Sequence, residues 1–224
     1  MLISKNRLAK MIDSTNVKAV ATKSEIADLC REAVQHGFGC VCVNPVHVKL
    51  AADILKDSNV RISSTAGFPF GASLSETKAF EAVKAVEDGA NEVDMVINLS
   101  ALKSGDFEAV KRDIAAVVNV KHVSKDIIVK VIIETAYLTQ EEKVIACKLA
   151  REAGADFVKT STGFFGSGAT VEDVRLMRRT VGKDMGVKAA GNIRTYADAV
   201  AMIEAGANRI GTSAAATVIK DAPY

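Results

Sequence analysis

Two lysines interrupt apolar segments 29 residues apart: Lys159 in Asp156-Phe-Val-Lys-Thr160 and Lys188 in Gly186-Val-Lys-Ala-Ala190. Each segment reads as a short buried strand that runs into a small-residue turn, Ser161-Thr162-Gly163 or Gly191-Asn192. Lysine is seldom buried, because its ammonium is costly to strip of water. Burial therefore favours the neutral amine, which is a nucleophile for carbonyl carbon. A second cation nearby lowers proton affinity further. Side by side, the two lysines would support imine chemistry.

Two more ionisable residues break apolar runs, Asp94 in Glu92-Val-Asp-Met-Val-Ile97 and Lys130 in Ile127-Ile-Val-Lys-Val-Ile-Ile133. Charges that share a low-dielectric interior must compensate one another, and such clusters concentrate at active sites. Lys159 is the expected nucleophile. Lys188 is the neighbour whose charge keeps it partly neutral and that shuttles protons. Asp94 offsets that charge and passes protons to and from substrate carbon. Lys130 is expected to be structural, as an ion-pair partner of Asp94. Asp13 and Thr15 could meet substrate hydroxyls, but helix capping is the expected role.

These residues need a scaffold that gathers them. The phrases Glu87-Asp-Gly-Ala-Asn-Glu-Val-Asp-Met95, Glu152-Ala-Gly-Ala-Asp-Phe-Val-Lys-Thr160 and Glu204-Ala-Gly-Ala-Asn-Arg-Ile-Gly-Thr212 repeat one pattern: a helix end, a glycine cap and entry into a strand. Strands are expected from about Ala9, Gly39, Val60, Glu92, Ile127, Asp156, Gly186 and Arg209. Amphipathic helices are expected at Glu76–Val86, Phe107–Val120, Glu141–Arg151 and Val171–Thr180. Capping boxes are expected at Thr22/Glu25, Ser73/Glu76, Thr139/Glu142, Thr170/Asp173 and Thr195/Asp198, and Asn44-Pro45 marks another helix start. Eight strand–helix units predict a single (β/α)₈ barrel over residues 1–224, with a short N-terminal helix and a tail from about 219. In such a barrel, reactive groups gather at the strands' C-terminal ends.

Other signals are weaker. Loops after the last strands of such barrels often hold phosphate on backbone amides and small hydroxyls. Here they read Ser161-Thr162-Gly163, Gly191-Asn192 and Gly211-Thr212-Ser213. The 29 basic and 27 acidic side chains are near balance, which disfavours nucleic acid and membrane surfaces as partners. His36, His47 and His122 are scattered, giving no metal-ligand spacing. Cys30, Cys40, Cys42 and Cys147 fit no zinc pattern and read as reduced thiols in a cytoplasmic protein, with Cys42 open to a reactive role. No apolar run approaches a membrane span.

The phrases Val93-Asp-Met-Val-Ile-Asn98, Lys130-Val-Ile-Ile-Glu-Thr135, Phe157-Val-Lys-Thr-Ser-Thr-Gly-Phe164, Gly168-Ala-Thr-Val-Glu-Asp173 and Gly186-Val-Lys-Ala189 together resemble the deoxyribose-phosphate aldolases. The likeness runs from Ile12-Asp-Ser-Thr15 to Arg209-Ile-Gly-Thr-Ser213. It implies metal-free, reversible cleavage of 2-deoxy-D-ribose 5-phosphate into glyceraldehyde 3-phosphate and acetaldehyde, with no cofactor. The family's Schiff-base lysine falls on Lys159 and its proton-relay pair on Asp94 and Lys188. Its phosphate loops fall on Gly163, Gly191, Asn192, Gly211 and Ser213. The chain departs from the family pattern at Ala190 and Asn192, where Ser and Gly are usual, at Ser14, and at Ala214. Asn192 tolerates positive φ, so its amide can still point inward. Tyr224 stands where several relatives place a C-terminal tyrosine that reaches the active site; a frayed tail is the default expectation. Two alternatives stay open: a Schiff-base aldolase of another sugar phosphate or aldehyde, and a catalytically silent sugar-phosphate-binding barrel. A homodimer is one assembly open to the chain.

Overall fold

The computed structural model describes residues 2–223. Eight parallel strands close into a barrel in chain order: β1 (Ile12–Asn16), β2 (Cys40–Val43), β3 (Arg61–Ala66), β4 (Glu92–Val96), β5 (Ile128–Ile132), β6 (Phe157–Lys159), β7 (Gly186–Ala190) and β8 (Arg209–Thr212). The (β/α)₈ expectation holds. Around the barrel run helices α1 (Lys5–Met11), α2 (Lys23–His36), α3 (Val48–Leu55), α4 (Ser75–Glu87), α5 (Leu99–Lys103), α6 (Phe107–Val118), α7 (Gln140–Glu152), α8 (Val171–Val181), α9 (Tyr196–Ala205) and α10 (Ala215–Lys220).

Period-two alternation along each strand sorts its side chains. Val41, Val43, Val93, Met95, Val129, Val131, Val158, Val187, Ala189 and Ile210 join the core under the helices, with Ile26, Ile114, Val174 and Met177. Burying each large aliphatic chain contributes about 1.5–3 kcal/mol. The other parity points into the barrel, where the charged residues lie. Register puts Asp94 opposite Lys130 and Lys159 opposite Lys188.

The first strand begins later than expected. Ala9 to Met11 belong to α1, and β1 starts at Ile12. Thr22, Thr139 and Thr195 close reciprocal boxes with Glu25, Glu142 and Asp198. Thr170 accepts from the Asp173 amide. The Ser73/Glu76 box does not form: Leu74 holds the N-cap position, with no side-chain cap. Asn44-Pro45 opens a short 3₁₀ turn (Pro45–His47), and the Asn44 side chain donates to the Lys18 carbonyl instead. The expected tail from 219 is mostly packed. Ile219 is buried in α10, and the Lys5 amide donates to the Pro223 carbonyl at 2.7 Å. Tyr224 lies outside the described residues.

Candidate active site

The barrel interior is a stack of ion pairs. On its floor, Glu92 accepts from Arg61 Nε (2.7 Å) and contacts Lys130 Nζ (2.5 Å). Arg209 Nε donates to Asp13 Oδ1 at 2.7 Å, and its Nη atoms reach Glu92 at 3.4 Å. One layer up, Asp94 Oδ1 accepts from Lys130 (2.7 Å) and from the Ser63 hydroxyl (3.0 Å). Asp94 Oδ2 accepts from both Lys159 (2.8 Å) and Lys188 (2.7 Å). Lys188 also lies 2.5 Å from Asp13 Oδ2.

The cap role expected of Asp13 is therefore wrong. With β1 starting at Ile12, Asp13 points inward and its carboxylate is consumed by Lys188 and Arg209. Thr15 donates back to the Asp13 carbonyl and reaches the cavity described below. Lys130 takes the ion-pair position expected of it.

Burial shapes these charges, but not as lysine burial alone predicts. Desolvation pushes Lys188 down, yet Asp13 and Asp94 more than offset it and raise Lys188 well above its ordinary value. Lys130 is raised in the same way, burial being outweighed by Asp94 and Glu92. Burial also works against the Asp94 carboxylate, and Lys130, Lys159 and Lys188 together hold it well below the usual range. Arg61, Lys130, Lys159, Lys188 and Arg209 face Asp13, Glu92 and Asp94, so with all groups ionised the cluster carries 5 − 3 = +2.

One lysine of the set opens outward. Lys159 is 4% exposed, against 0% for Lys130 and Lys188. It lines a cavity of about 380 Å³ at the C-terminal mouth of the barrel. All five residues expected to hold phosphate line the same cavity: Gly163, Gly191, Asn192, Gly211 and Ser213.

Backbone proximity builds that wall. The Ala169 amide donates to the Gly191 carbonyl (3.2 Å), and Asn192 Nδ2 donates to the Ser167 carbonyl (2.6 Å). A Cβ on Gly168 would meet the Gly191 carbonyl group at 2.5 Å, so only glycine lets the two loops touch. Asn192 adopts φ +59°, a left-handed conformation that asparagine tolerates. The Thr160 hydroxyl bridges β6 to β7, donating to the Ala190 carbonyl and accepting from its amide, both at 3.1 Å.

Sequence reasoning missed several participants. Glu92 looked like a strand edge and Arg209 like part of a repeat phrase, although Glu92 shares a face with Asp94 by period two. Lys18 and Arg194 also line the cavity, and nothing in their sequence neighbourhoods marks them. Glu134 lies in the Lys130-Val-Ile-Ile-Glu-Thr135 phrase with no sequence signal of its own. It adopts φ +51°, a conformation costing about 1–3 kcal/mol for a non-glycine residue. Cys42 is buried, and desolvation, then Asp94, raise its thiol, which favours the inert protonated form. Asp13, Cys40 and Glu92 offer three potential metal-ligand atoms within 4.8 Å of one another. Both carboxylates are engaged by cations, and burial raises the Cys40 thiol well above its ordinary value.

Residues 7–216 match the family model described as DeoC/LacD family aldolase. The chain belongs to the DeoC/LacD aldolase family. It is similar to the deoxyribose-phosphate aldolases of Thermococcus kodakarensis (61% identity, 99% of each chain) and Thermococcus gammatolerans (63%, 96% of each). Among solved structures it resembles the tetrameric deoxyribose phosphate aldolase of Aeropyrum pernix. That match has 37% identity and a TM-score of 0.91, over 97% of this chain and 91% of that one. Among the described residues, no helix of this aldolase is long and apolar enough to cross a membrane.

Proposed function

We propose that the protein cleaves 2-deoxy-D-ribose 5-phosphate reversibly to D-glyceraldehyde 3-phosphate and acetaldehyde, through an imine on Lys159. One observation carries the assignment of the lysine: among the three lysines inside the barrel, only Lys159 both touches Asp94 and lines the cavity.

In this reading the neutral Lys159 amine attacks C1 of the open-chain aldehyde, and loss of water leaves an iminium. The iminium withdraws electrons from the sugar. As the C3 hydroxyl loses its proton, the C2–C3 bonding pair moves into a C1–C2 enamine. C3 leaves as the aldehyde of glyceraldehyde 3-phosphate. Protonation of C2 and addition of water then release acetaldehyde and restore the amine. Asp94 Oδ2 sits against the nitrogen that becomes cationic and ties it to Lys188 Nζ. That pair stabilises the iminium and exchanges the protons of dehydration and enamine protonation.

The substrate's phosphate is assigned to the loops carrying Gly163, Gly191, Asn192, Gly211 and Ser213, with Lys18 and Arg194 adding positive charge at the same cavity. Four buried free thiols fit a cytoplasmic setting. Self-association, with a homodimer as the simplest case, is supported by exposed Val46, Phe70, Leu74 and Phe80, and light scattering tests it. The activity test is acetaldehyde release from deoxyribose 5-phosphate with and without chelator. Equal release in both supports the reading; no release, or release abolished by chelator, contradicts it.

A further inference from the structure

Glu134 is a buried carboxylate that the mechanism above does not use, in a conformation that glycine would fill more easily. It follows β5. On one side of it the Ile133 amide donates to the Lys159 carbonyl (3.0 Å), and on the other the Thr135 amide donates to the Thr160 carbonyl (2.9 Å). Donors two residues apart thus meet consecutive acceptors, and Glu134 is the extra residue of a bulge. Bulges beside active sites re-aim a side chain. Here φ is +51° and the side chain is fully buried.

Its Oε2 accepts from the Thr162 amide (3.0 Å) and the Thr162 hydroxyl (2.5 Å). That hydroxyl accepts in turn from the Phe164 amide at 3.1 Å. Oε2 thus organises the turn Thr162-Gly163-Phe164, all of which lines the cavity beside Lys159. Oε1 is buried and receives no hydrogen bond among the described residues. Burial raises the carboxyl; the Thr162 bonds and the Lys159 charge work the other way. A glycine would fit the bulge without strain and without an orphaned oxygen.

We propose that Glu134 is a positioning residue of the aldolase reaction, holding the Thr162–Phe164 turn against the cavity and placing negative charge beyond direct contact but within electrostatic reach of Lys159, where it favours the iminium. The proposal rests on Lys159 being the imine lysine. Glu134 does not line the cavity, so it acts through Thr162 and through its field at Lys159.

The test uses the full chain and the variants Glu134→Gln, Glu134→Ala and Thr162→Val. Measured are thermal midpoint, kcat and KM for deoxyribose 5-phosphate, and the rate of the borohydride-trapped acetaldehyde adduct on Lys159. The Gln side chain still accepts from Thr162 but carries no charge. Glu134→Gln should hold KM within about twofold and slow trapping roughly tenfold. Glu134→Ala should also raise KM roughly tenfold. Thr162→Val should raise KM while trapping persists, and it keeps the question open to test if the Ala variant does not fold. Wild-type trapping by Glu134→Gln, or losses that follow only the folded fraction, overturns the proposal. An adduct on another lysine in the unmodified chain overturns the assignment of Lys159 instead.

Discussion

Lys159 and Lys188 are register partners on adjacent strands, and their two ammonium groups converge on a single oxygen of Asp94. The two are not equivalent. Lys188 is enclosed between Asp13 and Asp94, while Lys159 has one carboxylate contact and a face on the cavity. The proposed division of labour between bonding the substrate and moving protons rests on that asymmetry.

Removing the enclosed partner should therefore damage chemistry more than binding. Lys188→Leu is expected to lower kcat by about 10²–10⁴-fold, the usual worth of a positioned proton-transfer group, with a smaller change in KM. Steady-state kinetics on deoxyribose 5-phosphate decide this. A variant that raises KM and keeps kcat would assign Lys188 to binding.

The floor pairs serve stability. Arg209→Met leaves Asp13 and Glu92 short of a cation inside the barrel. Breaking a buried pair from one side costs about 3–5 kcal/mol, so urea denaturation should show a loss of that size. The Lys159 adduct should still form in the folded fraction. A stability change near zero would show that Lys130 and Arg61 suffice for the floor.

How far this site was legible in the sequence differs residue by residue. Asp94, Lys130, Lys159 and Lys188 stood out because each breaks an apolar run, and a parallel strand buried on both faces admits charge only where a partner is waiting. Asp13 was lost with the start of β1: once Ala9 to Met11 are helix, Asp13 is the second residue of a strand rather than a cap. Arg209 and Glu92 sit at strand entrances, where a charge usually means solvent, and only closure of the barrel turns them inward. Ser73 failed as a cap because Leu74 takes that position. The left-handed turn at Glu134 leaves no mark in the sequence, since nothing about a glutamate announces positive φ.

The loop contact between Gly168 and Gly191 gives a separate test of the phosphate assignment. A Cβ on Gly191, already at φ +92°, would lie 2.8 Å from Gly168 Cα. Gly191→Ala should raise KM for deoxyribose 5-phosphate roughly tenfold, equivalent to about 1.4 kcal/mol of binding. KM for unphosphorylated 2-deoxyribose should stay unchanged. An equal effect on both sugars would place the loop's role elsewhere.

Stability should have a broad pH plateau with respect to Asp13, Asp94, Lys130 and Lys188. Asp13 and Asp94 are depressed in the fold despite burial, by Lys188 and by Lys130 foremost. Their stabilisation is present above the unfolded carboxylate value of about 4 and is lost as pH falls through the depressed folded values. Lys130 and Lys188 are raised, so theirs is present below about 10.4 and lost as pH rises through the raised ones. Thermal midpoints across a pH series should show no transition from these four groups between roughly pH 5 and 10. A step inside that window that Lys188→Leu abolishes would contradict the charge assignment.

The central claim is that Lys159 bonds the substrate, and one experiment addresses it directly. The protein is reduced with borohydride in the presence of acetaldehyde, digested, and mapped by mass spectrometry. A single added ethyl group on the peptide carrying Lys159, absent without aldehyde, is the predicted result. No adduct, or an ethyl group on Lys130, Lys188 or a surface lysine with Lys159 unmodified, would contradict it.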